Sequence, residues 1–224
     1  MFDAIAPRYD LLNRVLSAGI DRRWRARAIQ SLQLTGNETL IDVCTGTADV
    51  ALQARDAGRV VGVDFASAML TIGWRKVVAA HDERRITLLR GDAMRLPVRD
   101  GSADAATAAF GIRNVERPER ACAEMARALR PGGRLAILEF GVPRVWGLST
   151  LYLWYFRYLL PAVGRMVSGH NAAYSYLPAS VGAFPPPTAF KAILERAGFT
   201  HVRAEPLTLG IAYLYTGVRD VGGV

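Results

Sequence analysis

Thr39-Leu40-Ile41-Asp42-Val43-Cys44-Thr45-Gly46-Thr47-Ala48-Asp49-Val50 is the stretch that decides the fold. A short apolar run ends in an acid, passes through a loop of small residues, and restarts as a helical pattern. That is a strand, a turn and a helix N-terminus. Unpaired N–H groups and the helix dipole point into such a junction, so it receives a polar ligand. In an open parallel sheet, ligands sit beyond the carboxyl ends of the strands. The expected site is therefore centred on Gly46.

Downstream of this stretch the alternation is regular. Strands are expected at Thr39–Val43, Arg59–Asp64, 86–89, 104–110 and 134–140. Helices are expected at 48–57, at 67–80 with Ser67 as N-cap, and at 118–129. The last of these stops at Arg130-Pro131-Gly132-Gly133, because proline cannot continue a helix and glycine closes its end. Strands alternating with helices imply a parallel sheet with right-handed crossovers. From residue 142 to 184 the rhythm breaks, and 148–163 is nearly all apolar or aromatic. A helix over 187–197 follows. Two strand-like runs, 202–209 and 211–218, joined at Gly210, close the chain. So tight a join demands an antiparallel pair.

Upstream, Asp10 is placed to cap a helix carrying Leu11, Leu12, Val15 and Leu16. A second helix is expected over 22–32, with Trp24, Ala28 and Leu32 on one face and Arg22, Arg23, Arg25 and Arg27 on the other. Lying before the first strand, these helices read as a lid outside the core unit.

The chain has 224 residues and a formal charge of +8, which fits one domain with a real core. No apolar run reaches membrane-spanning length. The opening residues lack the pattern of a signal peptide, and two cysteines, Cys44 and Cys122, give no disulfide framework. The reading is a cytoplasmic protein, with contact at the inner face of the membrane left open. Three scattered histidines offer no metal-ligand spacing, so no metal is expected.

Four motifs carry chemistry. Asp42-x-Cys44-x-Gly46-Thr47-Ala48-Asp49 has one glycine where a pyrophosphate-binding turn wants three, so a smaller ligand fits better. Asp64 ends strand two about twenty residues after the loop, the spacing of a ribose-binding acid. Gly91-Asp92-Ala93-Met94-Arg95-Leu96-Pro97 follows strand three, where a carboxylate and backbone amides can read an adenine edge. Leu129-Arg130-Pro131-Gly132-Gly133 is the fourth.

Together these resemble the class I methyltransferases that bind S-adenosylmethionine. A closer resemblance is carried by Met1-Phe2-Asp3-Ala4-Ile5-Ala6-Pro7-Arg8-Tyr9-Asp10-Leu11-Leu12-Asn13, Phe110-Gly111-Ile112-Arg113-Asn114-Val115, Leu138-Glu139-Phe140 and Tyr174-Ser175-Tyr176-Leu177-Pro178. These are similar to motifs of the bacterial menaquinone and ubiquinone C-methyltransferases. The resemblance implies an α/β fold: a seven-stranded, mostly parallel, Rossmann-like methyltransferase sheet with an antiparallel C-terminal hairpin and helices on both faces. It divides one domain into a helical lid (1–35), a cofactor-binding half (36–141), a substrate insertion (142–185) and a closing helix and hairpin (186–220).

The implied reaction moves a methyl group from S-adenosylmethionine to a ring carbon of a polyprenyl quinol, leaving S-adenosylhomocysteine. Demethylmenaquinol is the preferred acceptor; a ubiquinone-precursor benzoquinol, another small molecule or RNA are the alternatives. Asp42, Gly46, Thr47, Asp64, Asp92 and Ala93 are the expected cofactor contacts. Two departures from the family stand at Cys44-Thr45, often glycines in relatives, and at Ala109, a serine in some.

The sulfonium methyl is already activated, so alignment is the main task. A quinol carbon becomes nucleophilic when its neighbouring hydroxyl loses a proton, which calls for a base or a stabilising cation. Arg113 is placed to lower the quinol pKa or, alternatively, to anchor the lid through an acid. Asn114 would orient a ring oxygen. His170 would take the proton through water or be plain surface. Tyr9, Tyr174 and Tyr176 are the expected acceptor contacts. The stretch 146–166 would receive the prenyl tail, touch a membrane interface or cover the sheet. A homodimer is left open.

Two rival readings stand beside this one. Base-amine methyltransferases carry an Asn- or Asp-Pro-Pro-aromatic run after strand four; here Phe110-Gly111-Ile112-Arg113 stands there and Pro185-Pro186-Pro187 lies elsewhere, so no nucleic acid is expected despite the charge. A non-catalytic partner protein would not need the acids at 42, 64 and 92.

Overall fold

A computed structural model describes residues 19–141 and 180–221. Tyr9, Asp10, His170, Tyr174, Tyr176, the helix expected from Asp10 and the stretch 146–166 lie outside those residues.

The elements in chain order are α1 (Asp21–Ser31), β1 (Thr39–Val43), α2 (Asp49–Gln53), β2 (Arg59–Asp64), α3 (Ser67–Ala79), β3 (Ile86–Arg90), β4 (Ala103–Ala109), α4 (Pro118–Ala128), β5 (Leu129–Phe140), α5 (Pro187–Arg196), β6 (Phe199–Leu207) and β7 (Ala212–Arg219). Short 3-10 turns, Ile112–Asn114 and Thr208–Gly210, follow β4 and β6. The sheet runs β3-β2-β1-β4-β5-β7-β6. β1 pairs in parallel with β2 and β4, and the pairing continues in parallel to β3 and β5. β7 runs antiparallel to both β5 and β6.

The closing pair has the expected hairpin sense, but its last strand sits inside the sheet between β5 and β6. The residues explain this. β7 is the more buried of the two, with Leu214 and Tyr215 almost inaccessible. β6 carries Pro206, which has no N–H to give and belongs on an edge.

Side chains alternate across each strand. Ile41, Val43, Val61, Ile137 and Tyr215 pack under α4 and α5. Leu40, Val60, Ile86, Leu138 and Leu214 pack under α1, α2 and α3. Each fully buried aliphatic side chain contributes about 1.5–3 kcal/mol.

Three local expectations need correction. α1 is not outside the core: Trp24, Ala28, Ile29 and Leu32 are buried against the sheet. Its Arg25, expected on the face opposite Trp24, is buried as well, the guanidinium paired with Asp21 at 2.7 Å and Asp49 at 3.2 Å. Ser67 does not cap α3; Ala66 holds the N-cap position, and its N–H donates to Asp64 Oδ1 at 2.9 Å. α2 stops at Gln53, well short of 57, where the Ala54 carbonyl leaves the helix and accepts a hydrogen bond from Arg85 Nη1 at 2.7 Å.

Among the described residues no helix is long and apolar enough to cross a membrane.

Candidate active site

The strand order reverses at β1 and β4, and there the carboxyl ends of four parallel strands surround a cavity of about 410 Å³. That is within the range of small-molecule sites. The loop after β1 contributes Cys44 and Gly46; the end of β2 contributes Val63, Asp64, Phe65 and Ala66; α3 adds Met69. The loop after β3 contributes Gly91, Asp92, Ala93 and Met94, and β4 with its turn contributes Ala109, Phe110, Gly111, Asn114, Val115 and Glu116.

The backbone of the first loop is unusual. Cys44, Gly46 and Ala48 all have positive φ, at 57°, 57° and 64°. For Cys44 and Ala48 this left-handed conformation costs about 1–3 kcal/mol each. The alternation turns the loop sharply enough to bring the Gly46 N–H against the end of β2. Asp64 Oδ2 accepts that N–H at 2.8 Å, while Oδ1 accepts Ala66 N–H. The same carboxylate lines the cavity. Asp92 repeats the device in smaller form, accepting Met94 N–H at 2.8 Å on Oδ1.

The second loop is equally constrained. Phe110 has φ +60°, and a Cβ at Gly111 would stand 2.3 Å from the Cys44 Cβ. The loops after β1 and β4 therefore touch through Cys44, and only glycine fits at 111. Burial, helped by Asp64 and Glu139, pushes the Cys44 thiol well above its ordinary range, so it stays a neutral wall.

Of the expected cofactor contacts, Gly46, Asp64, Asp92 and Ala93 meet in this one cavity. Asp42 and Thr47 are not among its lining residues. Asp42 shares the period of Leu40 and faces the α1 and α2 side of the sheet. It is buried, and its Oδ2 accepts the Thr45 hydroxyl at 2.6 Å. Burial, opposed by that hydrogen bond and reinforced by Asp64, lifts its pKa to about 7. Thr47 is buried too, and its hydroxyl oxygen accepts from Lys76 Nζ of α3 at 3.0 Å. Both side chains are bonded behind the cavity wall, Asp42 to the loop's Thr45 and Thr47 to Lys76.

Asn114 does line the cavity; its Oδ1 is buried without a hydrogen-bond partner among the described residues. Arg113 does not. Its guanidinium donates to Glu139 Oε2 at 2.8 Å, and Glu139 is fully buried at the end of β5. The acid that holds Arg113 thus comes from the sheet.

Phe65, Met69, Met94, Phe110 and Val115 were missed from the sequence. Phe65 had a visible signal: a large apolar residue directly after the strand-two acid. It stands 73% exposed, with Arg90 over its ring at 5.9 Å.

The lining includes three acids, Asp64, Asp92 and Glu116, and among the described residues no lysine or arginine. Such a wall repels phosphates and suits a cationic ligand that also offers hydroxyl donors.

Residues 1–219 match the model of the ubiE/COQ5 methyltransferase family. A Syntrophotalea carbinolica protein named ubiquinone/menaquinone biosynthesis C-methyltransferase UbiE is 49% identical, covering 100% of this chain and 94% of its own. A Thermus thermophilus demethylmenaquinone methyltransferase is 47% identical, covering 98% of this chain and 100% of its own. Among solved structures, a SAM dependent methyltransferase from Aquifex aeolicus superposes with a TM-score of 0.62 at 18% identity, covering 87% of this chain and 88% of its own; a likeness that distant speaks to fold alone. On full-length sequence similarity, the chain belongs to the ubiE/COQ5 methyltransferase family.

Proposed function

We propose that this protein methylates a ring carbon of a polyprenyl quinol with S-adenosylmethionine, and that the preferred acceptor is demethylmenaquinol. The observation that carries the reading is the acid-lined cavity at the carboxyl ends of β1 to β4, which offers carboxylates and backbone groups but no basic side chain among the described residues. S-adenosylmethionine matches it: a sulfonium and an ammonium carry positive charge, and the ribose carries two hydroxyls. When bound it supplies an activated methyl group and leaves as S-adenosylhomocysteine.

Asp64 would accept the ribose hydroxyls with the lone pairs its backbone bonds leave. Asp92 and the Ala93 backbone would read the adenine edge, with Met69 and Phe65 packing on the base. Gly46 itself has no side chain to obstruct close approach. Asn114 would orient an acceptor oxygen. The residues' share of the chemistry is alignment, which is worth several kcal/mol when reacting atoms are held in line.

The choice of ring is supported by the relatives' names. The Thermus thermophilus relative is named for demethylmenaquinone, and the Syntrophotalea carbinolica relative for both quinones. A benzoquinol acceptor is therefore the second reading. The decisive assay offers demethylmenaquinol and a ubiquinone-precursor benzoquinol side by side with labelled methyl donor, and identifies the product by mass. Methylated naphthoquinol is expected. Label in the benzoquinol alone would move the assignment to the second reading, and no label in either would overturn it.

A further inference from the structure

Glu139 takes no part in the cavity wall, yet it is the most completely buried carboxylate near the site. Its surroundings are built with care. Oε1 accepts the Arg113 N–H at 3.2 Å. Oε2 accepts Arg113 Nη1 at 2.8 Å and the Phe140 N–H at 3.2 Å. Arg113 Nη1 also donates to the Phe110 carbonyl, which in turn accepts Asn114 Nδ2 at 3.4 Å. The guanidinium lies 5.2 Å from the Phe140 ring, and that ring stacks on Phe110 at 4.3 Å. Phe110 is thus gripped twice, by its carbonyl and by its ring, in a backbone conformation that an aromatic residue rarely adopts.

A buried ion pair is poor evidence for stability, since apolar residues of similar volume often do as well. Its position here needs another reason. Arg113 begins a chain of bonds that ends at Asn114, a residue of the cavity wall whose buried Oδ1 has no hydrogen-bond partner among the described residues. The geometry points to Glu139 as a positioning residue for the methyl transfer: it fixes Arg113 and the 3-10 turn, and through them sets the Asn114 amide against the acceptor. This assignment rests on the proposed reaction. It goes beyond it by giving the buried pair a task that neither cofactor binding nor folding requires.

The experiment compares Glu139→Gln, Arg113→Leu and the double variant in the quinol assay, with donor affinity and thermal melting measured on each. Glu139→Gln keeps the shape but loses the charge that holds the guanidinium. Its kcat is expected to fall about ten- to hundredfold, the range of a small misplacement, with affinity for S-adenosylhomocysteine within about twofold of the parent. If Glu139 acts through Arg113, the double variant loses no more kcat than the worse single one, as coupled residues do. A purely structural role would instead lower donor-binding stoichiometry and kcat together. That result, additive losses in the double variant, or an unchanged kcat in Glu139→Gln would each overturn the assignment. If Glu139→Gln does not fold, Glu139→Leu with Arg113→Leu replaces it. That apolar pair is expected to bind donor normally and turn over slowly; normal turnover would overturn the assignment. Parent turnover of the quinol is the control: its absence removes the proposed reaction and this assignment with it, whereas parent turnover with an unaffected variant removes this assignment alone.

Discussion

The Gly46 N–H donates to Asp64 Oδ2 at 2.8 Å, a charge-assisted bond that ties the loop after β1 to the end of β2 beside the Thr45 N–H, which donates to the Val63 carbonyl at 3.0 Å. The carboxylate that would hold the ligand also holds the loop that shapes its site. In Asp64→Asn, one carboxylate oxygen becomes an NH2 group, and both original oxygens face backbone N–H donors. Affinity for S-adenosylhomocysteine should fall about tenfold to a hundredfold, equal to about 1.4–2.8 kcal/mol. Titration calorimetry measures it, and unchanged affinity would show that Asp64 serves the loop alone.

The contact between Cys44 and Gly111 gives a paired prediction. In Gly111→Ala the new Cβ would lie 2.3 Å from the Cys44 Cβ, so one loop must move. Overpacking of this kind costs about 1–3 kcal/mol. Cys44→Gly removes the obstructing atom and suits the positive φ at 44, so it should recover most of the loss in the double variant. Chemical denaturation of the four proteins closes the cycle. Equal loss with and without Cys44 would mean that the strain lies elsewhere.

Asp42 makes stability depend on pH. Its pKa rises from the ordinary 3.8 to about 7 in the folded protein, mainly through burial. Between those values the folded state binds more protons than the unfolded one. Stability therefore falls as pH rises from about 4 to about 7 and levels off above that, by at most about 1.4 kcal/mol per pH unit crossed. Asp42→Asn should remove this component, so its melting temperature should change less across the window than the parent's. Parallel curves for the two proteins would reject the idea.

Two cations near the loop after β1 should differ in weight. Arg25 bridges Asp21 and Asp49 with its own side chain and that of Asp21 both under a tenth exposed. Lys76, bonded to Thr47 and Asp49, is more open. Removing one partner from a buried pair costs about 3–5 kcal/mol, whereas exposed pairs contribute about 1 kcal/mol or less. Arg25→Ala should lower Tm by about 6 °C or more, given roughly 2–4 °C per kcal/mol at this size. Lys76→Ala should lower it by only a few degrees. The reverse order in a melting experiment would mean that the loop is held from α3.

Much of this was legible in the chain alone. The strand-turn-helix alternation, the acids Asp64 and Asp92 at consecutive strand ends, and the small residues around Gly46 follow from periodicity and local backbone preference, which act over a few residues. The roles of Asp42, Thr47 and Arg113 were not legible in the same way. Strand period turns Asp42 toward α1 and α2, Thr47 meets a lysine 29 residues on, and Arg113 meets an acid 26 residues on. No local pattern encodes which distant charge a buried side chain will meet, because that depends on how the strands are ordered. The slot of β7 between β5 and β6 is of the same kind. Sequence alone determined which segments become strands and where a ligand would sit among them. The tertiary structure decided which polar side chains line that cavity and which are bonded behind its wall, since burial forces each charge to find a partner wherever packing puts one.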